Sequence, residues 1–119
     1  MKTVKVQYGN GDFRVKAAAK RCGRDWNVAV TGGTLPHIGA VSLAVYEPER
    51  DSATVSTLCA YTHRDDAVSA AFAKALSAAL QCTVCVSAGI HVDDAGTEEI
   101  AQLRENCDAL LKKLLDAVK

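Results

Sequence analysis

The spacing of apolar residues along this chain changes once, near residue 62, and that change constrains the fold more than any other feature. Before it, apolar residues tend to alternate with polar ones, as in Thr3 to Tyr8, which is typical of strands with one buried face. After it, Val68, Phe72, Leu76 and Leu80 recur four positions apart and form one face of a helix. The chain is therefore predicted to form its strands first and its helices later.

Turn signals divide the two halves into elements. Gly9-Asn-Gly-Asp12 is a strong hairpin signal, and Asp65 and Thr97 stand where helix caps are expected. The predicted strands cover residues 3–8, 13–21, 26–31, 39–47, 53–62 and 83–88, and the predicted helices cover residues 65–81 and 97–118. This order, β-β-β-β-β-α-β-α, predicts an α+β domain over residues 1–119, with a mainly antiparallel six-stranded sheet and two helices on one face. The stretch 53–88 could form one parallel crossover.

The fourth strand is apolar on both faces. Val41, Leu43 and Val45 lie on one side, and Ala40 and Ala44 lie on the other. Two helices can cover only one face of the sheet, so the second face is expected to pair with another subunit. The sequence therefore predicts a homodimer.

Composition excludes several classes of protein. The 14 acidic and 14 basic residues balance, which argues against nucleic-acid binding through a bulk basic field. No apolar run approaches the roughly 20 residues of a membrane span, and the N-terminus has a strand pattern instead of a signal-peptide pattern. The five cysteines are odd in number and mostly lie in apolar runs, which favours reduced thiols in the cytoplasm.

Three histidines each follow a predicted strand, and ligands often bind where strands end in α/β proteins. His37 lies in a segment with three glycines, which is either an anion-binding nest or a wide turn. His63 and Arg64 precede a helix start, where they would bind an anion or remain as solvated charge. His91 precedes two aspartates and is either a ligand-binding residue or part of a polar loop.

A metal site is one interpretation of the three histidines. His37, His63 and His91 would suit zinc with one open coordination position, although no two of them have the short spacing of common metal motifs. Cys82 and Cys85 lie three apart in a strand and would point to opposite faces, so a shared metal or a disulfide is not expected. No catalytic triad is apparent.

Two strings resemble the prenylated flavin chaperones of the LpdD-like family: Pro-His-Ile-Gly-Ala at 36–40 and Ala-Gly-Ile-His-Val-Asp at 88–93. The Gly32-Gly33 pair and the Thr-His-Arg-Asp-Asp string at 62–66 extend the resemblance, which runs from the third strand into the second helix. It implies a dimer with a fold similar to proteasome assembly chaperones. It also implies a cytoplasmic protein that is not an enzyme, and that binds reduced prenylated FMN and passes it to a UbiD-type decarboxylase of the gallate-decarboxylase kind.

The resemblance also implies a set of cofactor-binding residues around the three histidines. They are Gly32, Gly33, Thr34, Pro36, His37, Ile38, Gly39, His63, Arg64 and His91. A divalent metal could join the phosphate to the histidines. Two other functions remain open at this point: a small metal-dependent enzyme that uses the histidines with Asp93 or Asp94, and an assembly factor that needs no ligand.

Overall fold

The computed structural model describes residues 3–60 and 65–119, and the order of its elements is the predicted one. The strands are β1 (Thr3–Tyr8), β2 (Val15–Cys22), β3 (Asp25–Gly33), β4 (Ala40–Glu47), β5 (Ser52–Cys59) and β6 (Val84–His91). The helices are α1 (Asp66–Leu80) and α2 (Thr97–Val118). Short 3-10 turns at Gly11–Phe13 and Pro48–Arg50 belong to the first and third hairpins.

The sheet is mixed, with the strand order β1-β2-β3-β6-β4-β5. β6 inserts between β3 and β4 and runs parallel to β3, whereas all the other neighbouring pairs are antiparallel. The predicted crossover from residue 53 to residue 88 is therefore only partly right. β5 and β6 run in the same direction but lie on either side of β4, because each pairs with β4 in the antiparallel sense.

Both helices pack on the same face of the sheet and form one core with it. Phe72 and Leu76 of α1 and Leu110 and Leu114 of α2 are at most 2% exposed. They lie over strand residues that are mostly valine and alanine, such as Val28 and Val86, which face each other across the parallel pair. Small strand residues let the helices approach closely, which accounts for the two-layer packing.

The opposite face of the sheet, here called the open face, is not covered by α1 or α2 in the described part of the chain. Its most exposed apolar residues are Leu43 (45%), Val45 (46%) and Leu58 (78%). Leu43 and Val45 alternate with buried residues along β4, as the pleat of a sheet requires, and Leu58 is the partner of Val41 on β5. The sequence-based expectation of an uncovered apolar face is confirmed, while pairing of two subunits stays a prediction.

The helices start within one residue of the predicted caps, but their capping bonds differ from those expected. Gly96, one residue earlier than the predicted Thr97, is the capping residue of α2, and its N–H donates to a carboxylate oxygen of Glu99 at 3.1 Å. Asp65 precedes α1 but makes no side-chain capping bond. Among the residues described, neither helix has the length and apolar character needed to cross a membrane.

Candidate functional site

The loop from Thr34 to Gly39 crosses the carboxyl end of β6 and is fixed there by backbone hydrogen bonds. The Thr34 N–H donates to the carbonyl oxygen of His91 at 2.7 Å, and the Gly39 N–H donates to that of Ala88 at 2.8 Å. The Thr34 hydroxyl also donates to His91 at 3.3 Å. The loop is therefore anchored at both ends on one strand, and it brings the segments of His37 and His91 together.

Glycines make this close approach possible. A Cβ atom on Gly89 would overlap the carbonyl group of His37, and one on Gly33 would overlap that of His91. Gly33 also has a φ of +78°, in the left-handed region that favours glycine. Gly33 and Gly89 therefore allow two backbone segments to lie in direct contact.

The predicted anion-binding nest has a different hydrogen-bond pattern in the structure. The amides of Gly33, Thr34 and Gly39 donate to carbonyl oxygens of Arg14, His91 and Ala88, respectively. In this arrangement they are not available to a phosphate. The role of residues 32–39 as direct cofactor contacts stays a prediction. Any such contact would be made by side chains of the loop, since these three amides already donate to carbonyl oxygens.

Asp65 is a buried carboxylate at the junction of the loop, β6 and α1. It is 7% exposed, and its Oδ2 lies 3.2 Å from His37 Nε2. Its Oδ1 accepts a hydrogen bond from the Ile90 N–H at 3.0 Å. The other ring nitrogen of His37 lies 2.9 Å from the carbonyl oxygen of Leu35. Asp65 therefore holds the His37 ring against the sheet. It occupies the N-cap position of α1, as predicted, but its side chain bonds to β6 and contacts the loop instead of capping the helix.

His91 lies beside the same loop in a more open position. Its side chain is 44% exposed, and Nε2 lies 2.8 Å from Oδ1 of Asp93. The structure therefore brings His37 and His91 to one end of the sheet. His63 and Arg64 lie outside the described residues, and their predicted roles stay predictions.

The three-histidine metal site is not tested by the structure. Residues 3–60 and 65–119 contain no group of three or more His, Cys, Asp or Glu side chains arranged to hold a metal ion. His63, one of the three predicted ligands, is not among them. Both ring nitrogens of His37 already face oxygen atoms, so this histidine would have to release Asp65 or Leu35 before it could bind a metal.

A groove of about 980 Å³ opens beside Asp65, between α1 and α2. Its apolar wall consists of Ala67, Val68, Ala71, Phe72, Ile90, Ile100, Leu103, Cys107 and Leu111. Its polar groups are Asp65, Asp66, His91, Arg104 and Asp108. The start of α1 forms part of the lining, and the positive end of a helix attracts anions.

Arg104 and the groove itself were not found from the sequence. Leu103 and Phe72 were predicted as apolar helix residues, but no pattern indicated that α1 and α2 diverge enough to leave a cleft between them. Arg104 makes no hydrogen bond or ion pair with any other residue that the structure describes. Arg104 is the one arginine or lysine in the described lining of the groove, and its guanidinium is suited to hold a planar or anionic group.

Cys107 forms part of the groove wall as a neutral thiol. Burial, followed by the nearby carboxylates of Asp108 and Asp65, raises the pKa of Cys107 to about 12. Burial is also the main cause of the raised pKa of Cys82. Because the thiolate is the reactive form, neither residue is suited to act as a nucleophile near neutral pH.

We expect the rate of alkylation to distinguish the exposed thiol of Cys59 from the buried thiol of Cys107. In the native protein at neutral pH, iodoacetamide should modify the exposed Cys59 rapidly and leave Cys107 unmodified, as read by peptide mass spectrometry. Denatured protein is the control, in which both should react. Rapid modification of Cys107 in the native state would contradict the packing of α2 described above.

This architecture, a six-stranded sheet with two helices on one face, is similar to that of a solved structure. The chain is similar to a protein in the crystal structure of a novel chaperone complex for yeast 20S proteasome assembly, with a TM-score of 0.64 and 15% sequence identity. The match covers 98% of this chain and 94% of that chain. At this identity the likeness concerns the fold alone.

The family follows from the sequence match. Residues 9–119 match the model of the prenylated flavin chaperone LpdD-like domain, so the chain belongs to that family. It is also 27% identical over 103 residues to Protein LpdD of Lactiplantibacillus plantarum (strain ATCC BAA-793 / NCIMB 8826 / WCFS1), covering 87% of this chain and 76% of that protein. The resemblance noted from the strings at 36–40 and 88–93 is confirmed.

Proposed function

We propose that this protein binds reduced prenylated FMN and delivers it to an apo UbiD-type decarboxylase, without catalysing a reaction itself. One observation carries the proposal: in a chain of the prenylated flavin chaperone family, a large, mostly apolar groove is lined by Asp65 and His91, the two residues that contact the loop of His37. The cofactor, when bound to the decarboxylase, supplies the chemistry of decarboxylation. This chain would supply binding and protection.

The groove is suited to a flavin in size and chemistry. Ligand pockets typically enclose about 300–1,000 Å³ and are mostly apolar with a few polar groups. Phe72, Ile90 and Leu103 offer an apolar wall to a ring system, and Arg104 and the start of α1 offer positive charge to a phosphate. The lining also holds three carboxylates, Asp65, Asp66 and Asp108, against the single guanidinium of Arg104, which would keep the affinity for an anion moderate, as a carrier that must release its cargo requires.

The arrangement of His37 and Asp65 supports a role in binding. A general base needs a nitrogen or oxygen within reach of substrate, whereas both ring nitrogens of His37 face protein oxygens. The pair is therefore suited to keep the loop with Pro36 and Ile38 at the edge of the site. We infer that loop and groove act together on the cofactor, with Gly32, Gly33, Thr34 and Gly39 setting the loop's path.

The proposal extends to the state of the whole chain. We infer that residues 1–119 act as one domain in the cytoplasm, supported by five free cysteines of which two are buried thiols. We also infer that the protein is a homodimer, supported by the apolar open face. A divalent metal would be an accessory to phosphate binding, with His37, His63 and His91 as its candidate ligands.

The decisive experiment is an anaerobic binding assay. Purified protein is incubated with reduced prenylated FMN or with reduced FMN, desalted, and examined by absorbance. We expect stoichiometric retention of the prenylated form and weaker retention of FMN. The loaded protein is then mixed with an apo UbiD-type decarboxylase, which should gain activity. Retention of neither flavin, with or without divalent metal, would contradict the proposal and leave a ligand-free assembly factor or a metal-dependent enzyme.

We expect His37→Ala to separate cofactor binding from assembly. The change removes the ring that Asp65 holds, so flavin affinity should fall by about tenfold or more while the mass in solution stays unchanged. Tyr46→Phe is the matched control, because it removes a single exposed hydrogen bond to Asp51 at the other end of β4. Equal affinities in the two variants would exclude the His37 loop from the site.

A further inference from the structure

We propose that the outer edge of β5, here called the β5 edge (Ser52–Cys59), binds an extended segment of the recipient decarboxylase as an added strand. The proposal rests on the proposed function, from which it takes its partner, and it names the surface that holds this partner. Three features of the structure support it: the lack of protection along this edge, the backbone groups that the edge leaves open, and its course toward the candidate site.

β5 is an outermost strand without the features that prevent pairing with other chains. It ends the strand order of the sheet, and among the residues that the structure describes it pairs with β4 alone. Residues 52–59 contain no charged residue and no proline, and their pairs with β4 follow one another without a bulge. Natural edge strands commonly carry lysine, proline or a bulge as protection. The β5 edge is therefore open to an additional strand.

The opposite edge of the sheet, formed by β1, is protected. This strand carries Lys5, and the ammonium group of Lys113 on α2 donates a hydrogen bond to the carbonyl oxygen of Gln7 at 3.0 Å. One acceptor of the β1 backbone is therefore occupied, and two lysines lie where an incoming strand would have to approach. The chain blocks one edge of its sheet and leaves the other without such features, which favours a use for the second edge.

The hydrogen-bond register defines which backbone groups the β5 edge leaves open. The Ala60 N–H donates to the carbonyl oxygen of Gly39 at 2.7 Å, and this pair continues the register of β4 and β5. Bonded and non-bonded pairs alternate in an antiparallel ladder, so the N–H and C=O groups of Val55, Thr57 and Cys59 point away from β4. These alternate residues present the donors and acceptors that an added strand requires.

The side chains along the β5 edge are suited to an uncharged partner segment. Residues 56–59 are all exposed, and they include two hydroxyl groups and the apolar side chain of Leu58. Small or β-branched residues on the incoming strand would pack beside them. The open groups of the edge lie in the plane of the sheet, so they stay accessible when a second copy covers the open face. The edge and the homodimer inferred above are therefore compatible.

The β5 edge ends beside the candidate site. The hydrogen bond from Ala60 to Gly39 joins the end of β5 to the end of the His37 loop. A Cβ atom added at Gly39 would lie 3.1 Å from His37 Nε2 and would overlap a carboxylate oxygen of Asp65. Neighbouring strands lie about 4.8 Å apart, so a strand added to β5 would pass within roughly 10 Å of Gly39. A recipient held by this edge would therefore lie next to the residues inferred to bind the cofactor.

A proline substitution tests the edge. Thr57→Pro removes one outward N–H together with the hydroxyl that lies 2.8 Å from the Ser42 hydroxyl, whereas Thr57→Val, the matched control, removes the hydroxyl alone. An edge strand tolerates proline where its N–H faces outward. In titration calorimetry with an apo UbiD-type decarboxylase, Thr57→Pro should bind at least about tenfold more weakly than Thr57→Val. Both variants should be folded by circular dichroism and should retain reduced prenylated FMN.

Hydrogen exchange provides a second measurement on the unchanged protein. Exchange is run with and without the apo-decarboxylase, quenched, and measured residue by residue by NMR after dissociation. The amides of Val55 and Thr57 should exchange at least about tenfold more slowly in the complex, because carbonyl oxygens of the partner strand accept them. The Lys5 amide on β1 is the control, and its exchange should not change.

Three outcomes would overturn the proposal. Equal affinities of Thr57→Pro and Thr57→Val would exclude the β5 edge from the complex, and so would unchanged exchange at Val55 and Thr57 in a complex that forms. Loss of dimers in Thr57→Pro but not in Thr57→Val, measured by light scattering, would mean that a second copy occupies the edge. Failure of the flavin proposal is distinguishable, because the unchanged protein would then retain no flavin in the anaerobic assay.

Discussion

Gly89→Ala is expected to destabilise the fold by about 3 kcal/mol and to abolish retention of the flavin. The added Cβ would overlap the backbone carbonyl of His37. Because the overlapping atoms of His37 belong to the backbone, no flexible side chain can move aside to relieve the clash. The loop from Thr34 to Gly39 must therefore lift from β6, which breaks its hydrogen bonds to Ala88 and His91. Urea unfolding measures the first effect and the anaerobic desalting assay measures the second.

Gly96→Ala is the matched control for this change. Gly96 also lacks a positive φ, but the nearest atom to an added Cβ is the end of the flexible Glu99 side chain at 3.2 Å. We expect a loss below about 1 kcal/mol and normal flavin retention. If Gly89→Ala behaved like this control, the loop would not be held against β6 as described.

Asp65→Ala is expected to destabilise the fold by about 2–3 kcal/mol and to weaken flavin binding by tenfold or more. The buried carboxylate accepts the Ile90 N–H and contacts the His37 ring, and alanine leaves both without this acceptor. Loss of the ring contact frees the loop beside the groove, so binding should suffer beyond the loss of stability. Affinity is measured on the fraction that remains folded, by titration with reduced prenylated FMN.

Asp66→Ala provides the comparison, because it removes the neighbouring carboxylate, which is exposed at the start of α1. Its loss should change stability by less than about 1 kcal/mol, through the helix dipole alone. It should also leave flavin binding equal or stronger, since one negative charge leaves the groove lining. Equal effects of the two substitutions would mean that Asp65 acts only through its charge and does not position His37.

Local patterns predicted the elements well. The alternation in residues 3–8 and the four-residue spacing from Val68 to Leu80 depend only on neighbours in sequence, and both elements form where expected. The uncovered apolar face was also predictable, because a strand that is apolar on both sides cannot be covered by helices from one side. The family could be recognised from short strings around His37 and His91.

The tertiary structure decided how these elements meet. The insertion of β6 between β3 and β4 depends on which strand edges find partners, and no local pattern encodes that choice. The role of Asp65 changed for the same reason: an aspartate before a helix usually caps it, but here β6 and the His37 loop offer it buried partners. The groove with Arg104 exists only because two helices distant in sequence diverge over one sheet.

The sequence alone thus determined the elements, their order and the family, because these depend on short-range spacing. Only the tertiary structure decided strand order, the anchoring of the loop and the shape of the candidate site, because these depend on contacts between residues far apart in the chain.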